Sequence, residues 1–193
     1  MELTTITPTP QMLRALSHPT RLRILGLLRT DGPATSTTLA TRLRINTGQT
    51  SYHLRQLAQH GFVVEDAERG NNRDRWWRAA HQSTRTDGRD PELPEDREAL
   101  DAYLQSIAVV MTQKLQAAME ERPLLPAEWR AASTFSDYRI RLTAARARAL
   151  VEHLDELLMD IDEEPDENAD ATDFVVELTA FPRPGLLGGG DQP

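Results

Sequence analysis

The chain of 193 residues contains no cysteine. Disulfides, thiolate metal sites and cysteine nucleophiles are therefore excluded, and an intracellular protein is compatible with that composition. Lysine is nearly missing too: Lys114 is the single one among 22 basic residues. A GC-rich genome accounts for this bias, although arginine also suits bidentate phosphate and guanine contacts. No run of about 18 apolar residues occurs, so no membrane span and no membrane partner are expected. The start, Glu2-Leu3-Thr4-Thr5, lacks the basic and apolar regions of a signal peptide, and the expected location is cytoplasmic. No glycine-rich strand-to-helix turn is present. The five histidines, His18, His53, His60, His81 and His153, are scattered. Ser51 and His53 are two apart on an expected helix and point in different directions. No catalytic constellation, metal site or cofactor is expected, and the chain does not read as an enzyme.

What is present is a hydrophobic fraction of 39%, enough for a folded core, and a strong charge asymmetry. Residues 1–86 carry 12 Arg and 6 acidic residues, a net of +6. Residues 87–193 carry 10 basic and 24 acidic residues, a net of −14. A basic first half joined to an acidic second half fits a nucleic-acid-binding module with a companion domain kept off the phosphates.

Residues 37–78 read as helix, turn, helix and basic hairpin. The first helix is expected over 37–43 with Thr35 or Ser36 as cap, the turn is Arg44-Ile45-Asn46, and the second helix runs over 47–60. Gly61 stops it, since glycine accepts the positive φ of a residue just past a helix end. Phe62-Val63-Val64 begins a strand, the turn lies near Gly70, and Arg75-Trp76-Trp77-Arg78 returns, with one tryptophan on the core. Ala34 and Thr35 add a short third strand. Ahead of these, Pro10 and Pro19 fit the first turns of two helices, and Leu22, Ile24, Leu25, Leu27 and Leu28 make the second of them central. Residues 1–10 read as a loose start. This is the layout of a winged helix-turn-helix that reads double-stranded DNA.

The polar start of the second helix supplies the candidate DNA contacts Thr47, Gln49, Thr50, Ser51, His53 and Arg55. Tyr52 or His53 packs inward with Leu54, Leu57 and Ala58. Gln49 can bond an adenine edge and Arg55 a guanine or a phosphate. The wing, residues 65–78, supplies Arg69, Asn71, Arg73 and Arg75 for the flanking backbone or minor groove.

Three separated segments also resemble a known family. Leu13-Arg14-Ala15-Leu16-Ser17-His18-Pro19-Thr20-Arg21-Leu22-Arg23-Ile24-Leu25 is similar to the opening of ArsR/SmtB-type regulators. Thr50-Ser51-Tyr52-His53-Leu54-Arg55-Gln56-Leu57, through Gly61-Phe62-Val63, resembles their Ser-x-His-Leu-x-x-Leu recognition helix, and the returning wing strand is similar as well. The resemblance covers about residues 10–80. It implies a bacterial transcriptional regulator, usually a homodimer. The chain departs from the family's metal sensors, which use a cysteine-bearing recognition helix or Asp and His ligands on a C-terminal helix. Here only His153 with Glu152, Asp155 and Glu156 is loosely similar, and those residues lie on several sides of one helix.

Residues 81–96 read as a linker. Beyond it Leu100, Tyr103, Leu104, Ile107 and Met111 recur at helical spacing, suited to packing across a twofold axis, and Pro123 and Pro126 end that helix. Residues 135–142 and 174–181 alternate as two strands that can pair, around a helix with the stripe Ala147, Leu150, Val151, Leu154, Leu157, Leu158 and Ile161. This half resembles, more weakly, the longer extension of some actinobacterial-type winged-helix regulators. The expected architecture is mainly α with small β (α+β). A winged helix-turn-helix spans 1–80, a linker 81–96, a dimerisation domain with a short two-stranded sheet 97–181, and a disordered tail 182–193. The expected function is sequence-specific regulation of transcription, with repression favoured, by a homodimer on double-stranded DNA. A small-molecule effector is compatible with the second half. The competing reading is a protein-interaction module built on a winged helix. It would show exposed apolar side chains where this chain has polar ones.

Overall fold

The computed structural model describes residues 4–69, 74–86, 91–165 and 167–186. Its architecture is α+β, and packing divides it into one unit of residues 1–130 and another of residues 131–193.

Helix α1 (Pro10–Leu16) opens with proline in its first turn, and the Thr9 hydroxyl accepts from the Met12 N–H. Helix α2 (Pro19–Thr30) repeats the device: His18 caps it, its Nδ1 accepting from the Thr20 N–H at 3.1 Å. Ile24, Leu25 and Leu28 of α2 are buried among residues of every neighbouring element, so the expected central helix is central. Strand β2 (Ala34–Thr35) leads into α3 (Ser36–Leu43), whose cap is Thr35. Arg44 then adopts φ 55°, and its N–H bonds the Ala40 and Thr41 carbonyls. This left-handed residue closes α3 and turns the chain into α4 (Thr47–Gln59). Past α4, Gly61 takes φ +74°, and its freedom from a Cβ makes that conformation cheap.

Strands β3 (Val63–Glu65) and β4 (Trp76–Ala79) form the wing, and the sheet order is β2-β4-β3, antiparallel throughout. Ala34 faces Trp77, and Val63 faces Ala79. Trp77 enters the core while Trp76 stays half-buried.

The start of the chain is not loose where it is described. Strand β1 (Thr5–Ile6) pairs in parallel with β5 (Ser83–Thr84), and the Arg85 N–H bonds the Ile6 carbonyl at 3.0 Å. The stretch after the wing is therefore held as well. Arg29 ties it to α2, donating from Nε to the His81 carbonyl at 2.9 Å and from Nη2 to Thr84 Oγ1 at 2.8 Å. Burial pulls the Arg29 pKa down to about 10. The expected linker over 81–96 thus contains a paired strand and the first turn of α5 (Pro94–Glu121). That helix lies on α1 and α2, burying Ala99, Tyr103 and Ser106 in the same core. The boundary between compact units falls at residue 130, not between 80 and 97.

A 3₁₀ turn (Arg122–Leu124) and α6 (Ala127–Ala132) follow α5. In the second unit α7 (Ala144–Met159) is capped by Thr143, whose hydroxyl accepts from the Arg146 N–H. Residues 135–142 and 174–181 form no ladder, so the expected sheet in this region is not formed. Alternation gives a segment two faces but supplies no partner, and Phe135, Tyr138, Ile140, Phe174, Val175, Val176 and Phe181 remain exposed. Of the expected tail, residues 187–193 lie outside the described residues.

Candidate nucleic-acid interface

Helix α4 starts where Asn46 caps it: the side-chain Oδ1 accepts from the Gln49 N–H at 2.7 Å. The cap leaves the first turn well formed, and the side chains that follow divide by face. Thr47, Gly48, Gln49, Tyr52, Arg55 and Gln59 are exposed. Ser51 and Gln56 are half-buried, whereas Thr50, His53, Leu54 and Leu57 are buried.

Two expected DNA contacts are corrected by this division. Thr50 is wholly inaccessible, and its hydroxyl donates to the Asn46 carbonyl at 3.1 Å, one turn back. His53 is 9% exposed, and its ring lies 4.6 Å from that of His18. Neither side chain can reach a base edge. The inward choice between Tyr52 and His53 thus falls on His53, and Tyr52 is 51% exposed. Burial lowers the His53 pKa first, and His18 and the Arg21 cation lower it further. His18 is lowered by burial and then by Arg21, against a hydrogen bond with the backbone.

On the wing, Arg69 lies 3.7 Å from Asp66 and Arg75 lies 3.8 Å from Glu65. All but Asp66 are exposed or nearly so, and such surface pairs are worth about 0–1 kcal/mol. A phosphate can therefore replace the carboxylate at little cost. Asn71 and Arg73 lie outside the described residues.

The expected dimerisation stripe on α5 splits between two faces. Tyr103 is 3% exposed and packs in its own chain's core, which corrects its assignment to a subunit interface. Leu100 and Ile107 are partly buried against that core. Leu104 is 45% exposed, and Val109, Leu115 and Met119 farther along α5 are exposed as well. Met111 is half-buried. The sequence reading missed Arg21 and Arg29. An arginine within an apolar helix could have marked them, because a buried or half-buried guanidinium needs a specific reason to be there.

Within α7, His153 Nδ1 is 3.9 Å from Glu156 Oε2 on an exposed face. Among the described residues no three His, Asp or Glu side chains gather as a metal site would require. No described helix is long and apolar enough to cross a membrane.

Residues 16–66 match a family model described as a helix-turn-helix domain. That span takes in α2, α3, the Arg44-Ile45-Asn46 turn, α4 and β3, the elements that present the polar face of α4. A search of curated proteins finds no match. Among solved structures, the apo form of a ZitR mutant from Lactococcus lactis is similar at 15% identity and a TM-score of 0.32, covering 72% of this chain and 81% of that one. The helix-turn-helix match, taken with the geometry of α3 and α4, supports a DNA-binding regulator of transcription.

Proposed function

We propose that the chain is a sequence-specific regulator of transcription that acts as a homodimer, with repression as its mode. Helix α4 enters the major groove, where Gln49, Ser51 and Arg55 meet base edges or phosphates and Thr47 approaches the backbone. Arg69 and Arg75 hold the flanking backbone from the wing, and Asn71 and Arg73 lie between them in the sequence. The observation that carries this reading is the face of α4. An Asn46-capped helix exposes Gln49 and Arg55 while burying Leu54 and Leu57. A recognition helix needs this division, because hydrogen-bonding side chains read the groove and the apolar side fixes the helix to its scaffold. A helix of 13 residues spans roughly 20 Å, long enough to lie in a groove about 12 Å wide.

The ArsR/SmtB resemblance of residues 10–80 supports the family assignment and the homodimer. The exposed apolar side chains Leu104, Val109, Leu115 and Met119 of α5 supply a surface for a second copy. Tyr103, being internal, takes no part in it. The acidic second half stays off the duplex by its charge.

Selection of bound duplexes from a random pool tests the reading. A consensus of two related half-sites about 10 base pairs apart, or a multiple of that spacing, is the expected result for a twofold-symmetric binder. Failure to enrich any duplex would remove the function. A single half-site without symmetry would remove the dimer alone.

A further inference from the structure

Among the described residues, the half-buried guanidinium of Arg21 has no carboxylate partner. Arg21 stands in the first turn of α2, three residues beyond the His18 cap. Its Nη2 reaches only the Arg14 carbonyl, at 3.4 Å, and its buried Nε meets no acceptor. Arg14, Arg42, Arg69 and Arg75 each pair with a carboxylate. Among the described residues, no Asp or Glu does the same for Arg21. Tyr52 of α4 belongs to the same cluster: the Arg21 N–H bonds the His18 carbonyl at 2.9 Å, the His18 and His53 ring centres lie 4.6 Å apart, and those of His53 and Tyr52 5.5 Å apart. The other titratable groups beside it are His18 and His53, which burial and Arg21 itself hold toward the neutral form. The local field is positive, and no described carboxylate balances it.

Taking a guanidinium partly out of water without a counter-charge is unfavourable. Arginine cannot escape by losing its proton at physiological pH. An anion arriving from outside would supply the missing counter-charge. Tyr52 indicates the direction of arrival: it is 51% exposed and lies on the α4 face that carries Gln49, three residues before it, and Arg55, three residues after. Residues at that spacing share one side of a helix. An anion that reaches Tyr52 therefore comes from the surface that α4 meets.

We propose that Arg21 and Tyr52 form a phosphate site, in which the guanidinium and the phenolic O–H donate to one backbone phosphate of the duplex whose major groove holds α4. The proposal rests on the DNA-binding reading above and adds a contact from α2, outside the helix-turn-helix pair and the wing. A phosphate contact positions the protein without reading sequence. Arg21 thus adds to affinity and its salt dependence, while base preference stays with Gln49.

The test measures binding of the full chain to its selected duplex across a range of salt concentrations, for the parent, Arg21→Gln, Arg21→Lys and Tyr52→Phe. Neutralising one phosphate contributes about 0.9 to the slope of log K against log salt, so the two contacts of a bound dimer, one from each subunit, contribute about 1.8. Arg21→Gln should lower the slope by that amount and leave the selected consensus unchanged, and Arg21→Lys should restore the slope. Tyr52→Phe should weaken binding and keep the slope. A duplex with one neutral methylphosphonate linkage, scanned along the site, should weaken the parent at one position per half-site and leave Arg21→Gln indifferent there. An unchanged slope in folded Arg21→Gln overturns the phosphate site. If that variant does not fold, the scan decides: the sensitivity of Tyr52→Phe must be reduced, not abolished, at one position per half-site, and equal sensitivity of parent and Tyr52→Phe everywhere overturns the proposal. Binding by the parent with no effect of these substitutions refutes this contact alone. Absence of any duplex bound by the parent refutes the underlying reading and the contact with it.

Discussion

The imidazoles of His18 and His53 face each other where α2 meets α4, with ring centres 4.6 Å apart and planes tilted by 53°. His18 cannot swing away freely, because its Nδ1 holds the Thr20 N–H at the start of α2. His53 is buried, and its own Nδ1 has no partner. The contact therefore couples α4 to the central helix through two imidazoles. Burial, then Arg21, lowers the pKa of His18; burial, then His18 and Arg21, lowers that of His53. The folded chain keeps both rings neutral at a pH where the unfolded chain, with an ordinary histidine pKa of about 6.5, already binds protons. Stability is thus complete above that pH and declines as pH falls below it, until the folded rings protonate as well.

The urea midpoint should accordingly drop when pH is lowered from about 7.5 to about 5.5. His53→Leu removes one titrating ring and the unpartnered nitrogen together, so its midpoint should fall less over the same range. Equal pH dependence in parent and variant would mean that other groups govern the loss.

The cap of α4 gives a second expectation. Asn46 Oδ1 takes the Gln49 N–H, which would otherwise be an unsatisfied donor in the first helical turn. Asn46→Ala should lower stability by about 1 kcal/mol, and Asn46→Asp should retain most of it. Chemical denaturation measures both. Because the cap orients the turn that carries Gln49, Asn46→Ala should also weaken duplex binding, whereas Asn46→Asp places a carboxylate near phosphates and should weaken it for a different, salt-sensitive reason.

The elements of the first unit could be read in the sequence because their signals are local. Pro10, Pro19, Thr35 and Asn46 mark helix starts, Gly61 marks an end, and the alternation at Trp76-Trp77 marks a strand with one inward face. The phase of α4 was legible only to within a residue. Thr50 and Gln49 are adjacent and both polar, and the Thr50 hydroxyl is satisfied by a carbonyl that no sequence pattern reveals. Tyr52 and His53 posed the same ambiguity. The helical stripe of α5 announces an apolar face and not the neighbour that covers it, so the stripe alone places Tyr103 at a second subunit although it packs within its own chain. The β1–β5 pair was invisible because two-residue strands separated by 78 positions have no periodicity to detect. Residues 135–142 carry strand-like alternation, yet a ladder also depends on a partner's position, which alternation does not encode.

Gly61 supplies a stability test free of packing effects. A Cβ placed there would meet nothing within 4 Å, so the only obstacle to a side chain is the φ of +74°. Gly61→Ala should cost about 1–2 kcal/mol from the left-handed backbone alone. Gly61→Asn should cost less, since asparagine tolerates that region better. A loss well above that range in thermal or urea unfolding would point to a different conformation of the junction between α4 and β3.

The two faces of α5 can be separated by paired substitutions. Tyr103 is 3% exposed and touches the core that α1 and α2 build, and burial raises its phenol pKa against the opposing effect of the Arg29 cation. Tyr103→Ala should therefore destabilise the single chain itself, by about 3–5 kcal/mol as for other large aromatic residues removed from a core. Leu104, the next residue, is 45% exposed. Leu104→Glu leaves that core intact, so the unfolding midpoint of the monomeric chain should hardly move, while the mass from light scattering should shift toward one subunit. The contrast between neighbours is the useful measurement. If Leu104→Glu leaves the mass unchanged while the parent is dimeric, the second copy sits elsewhere. If Tyr103→Ala keeps full stability at dilutions where the chain is monomeric, the packing of α5 onto its own winged helix is wrong.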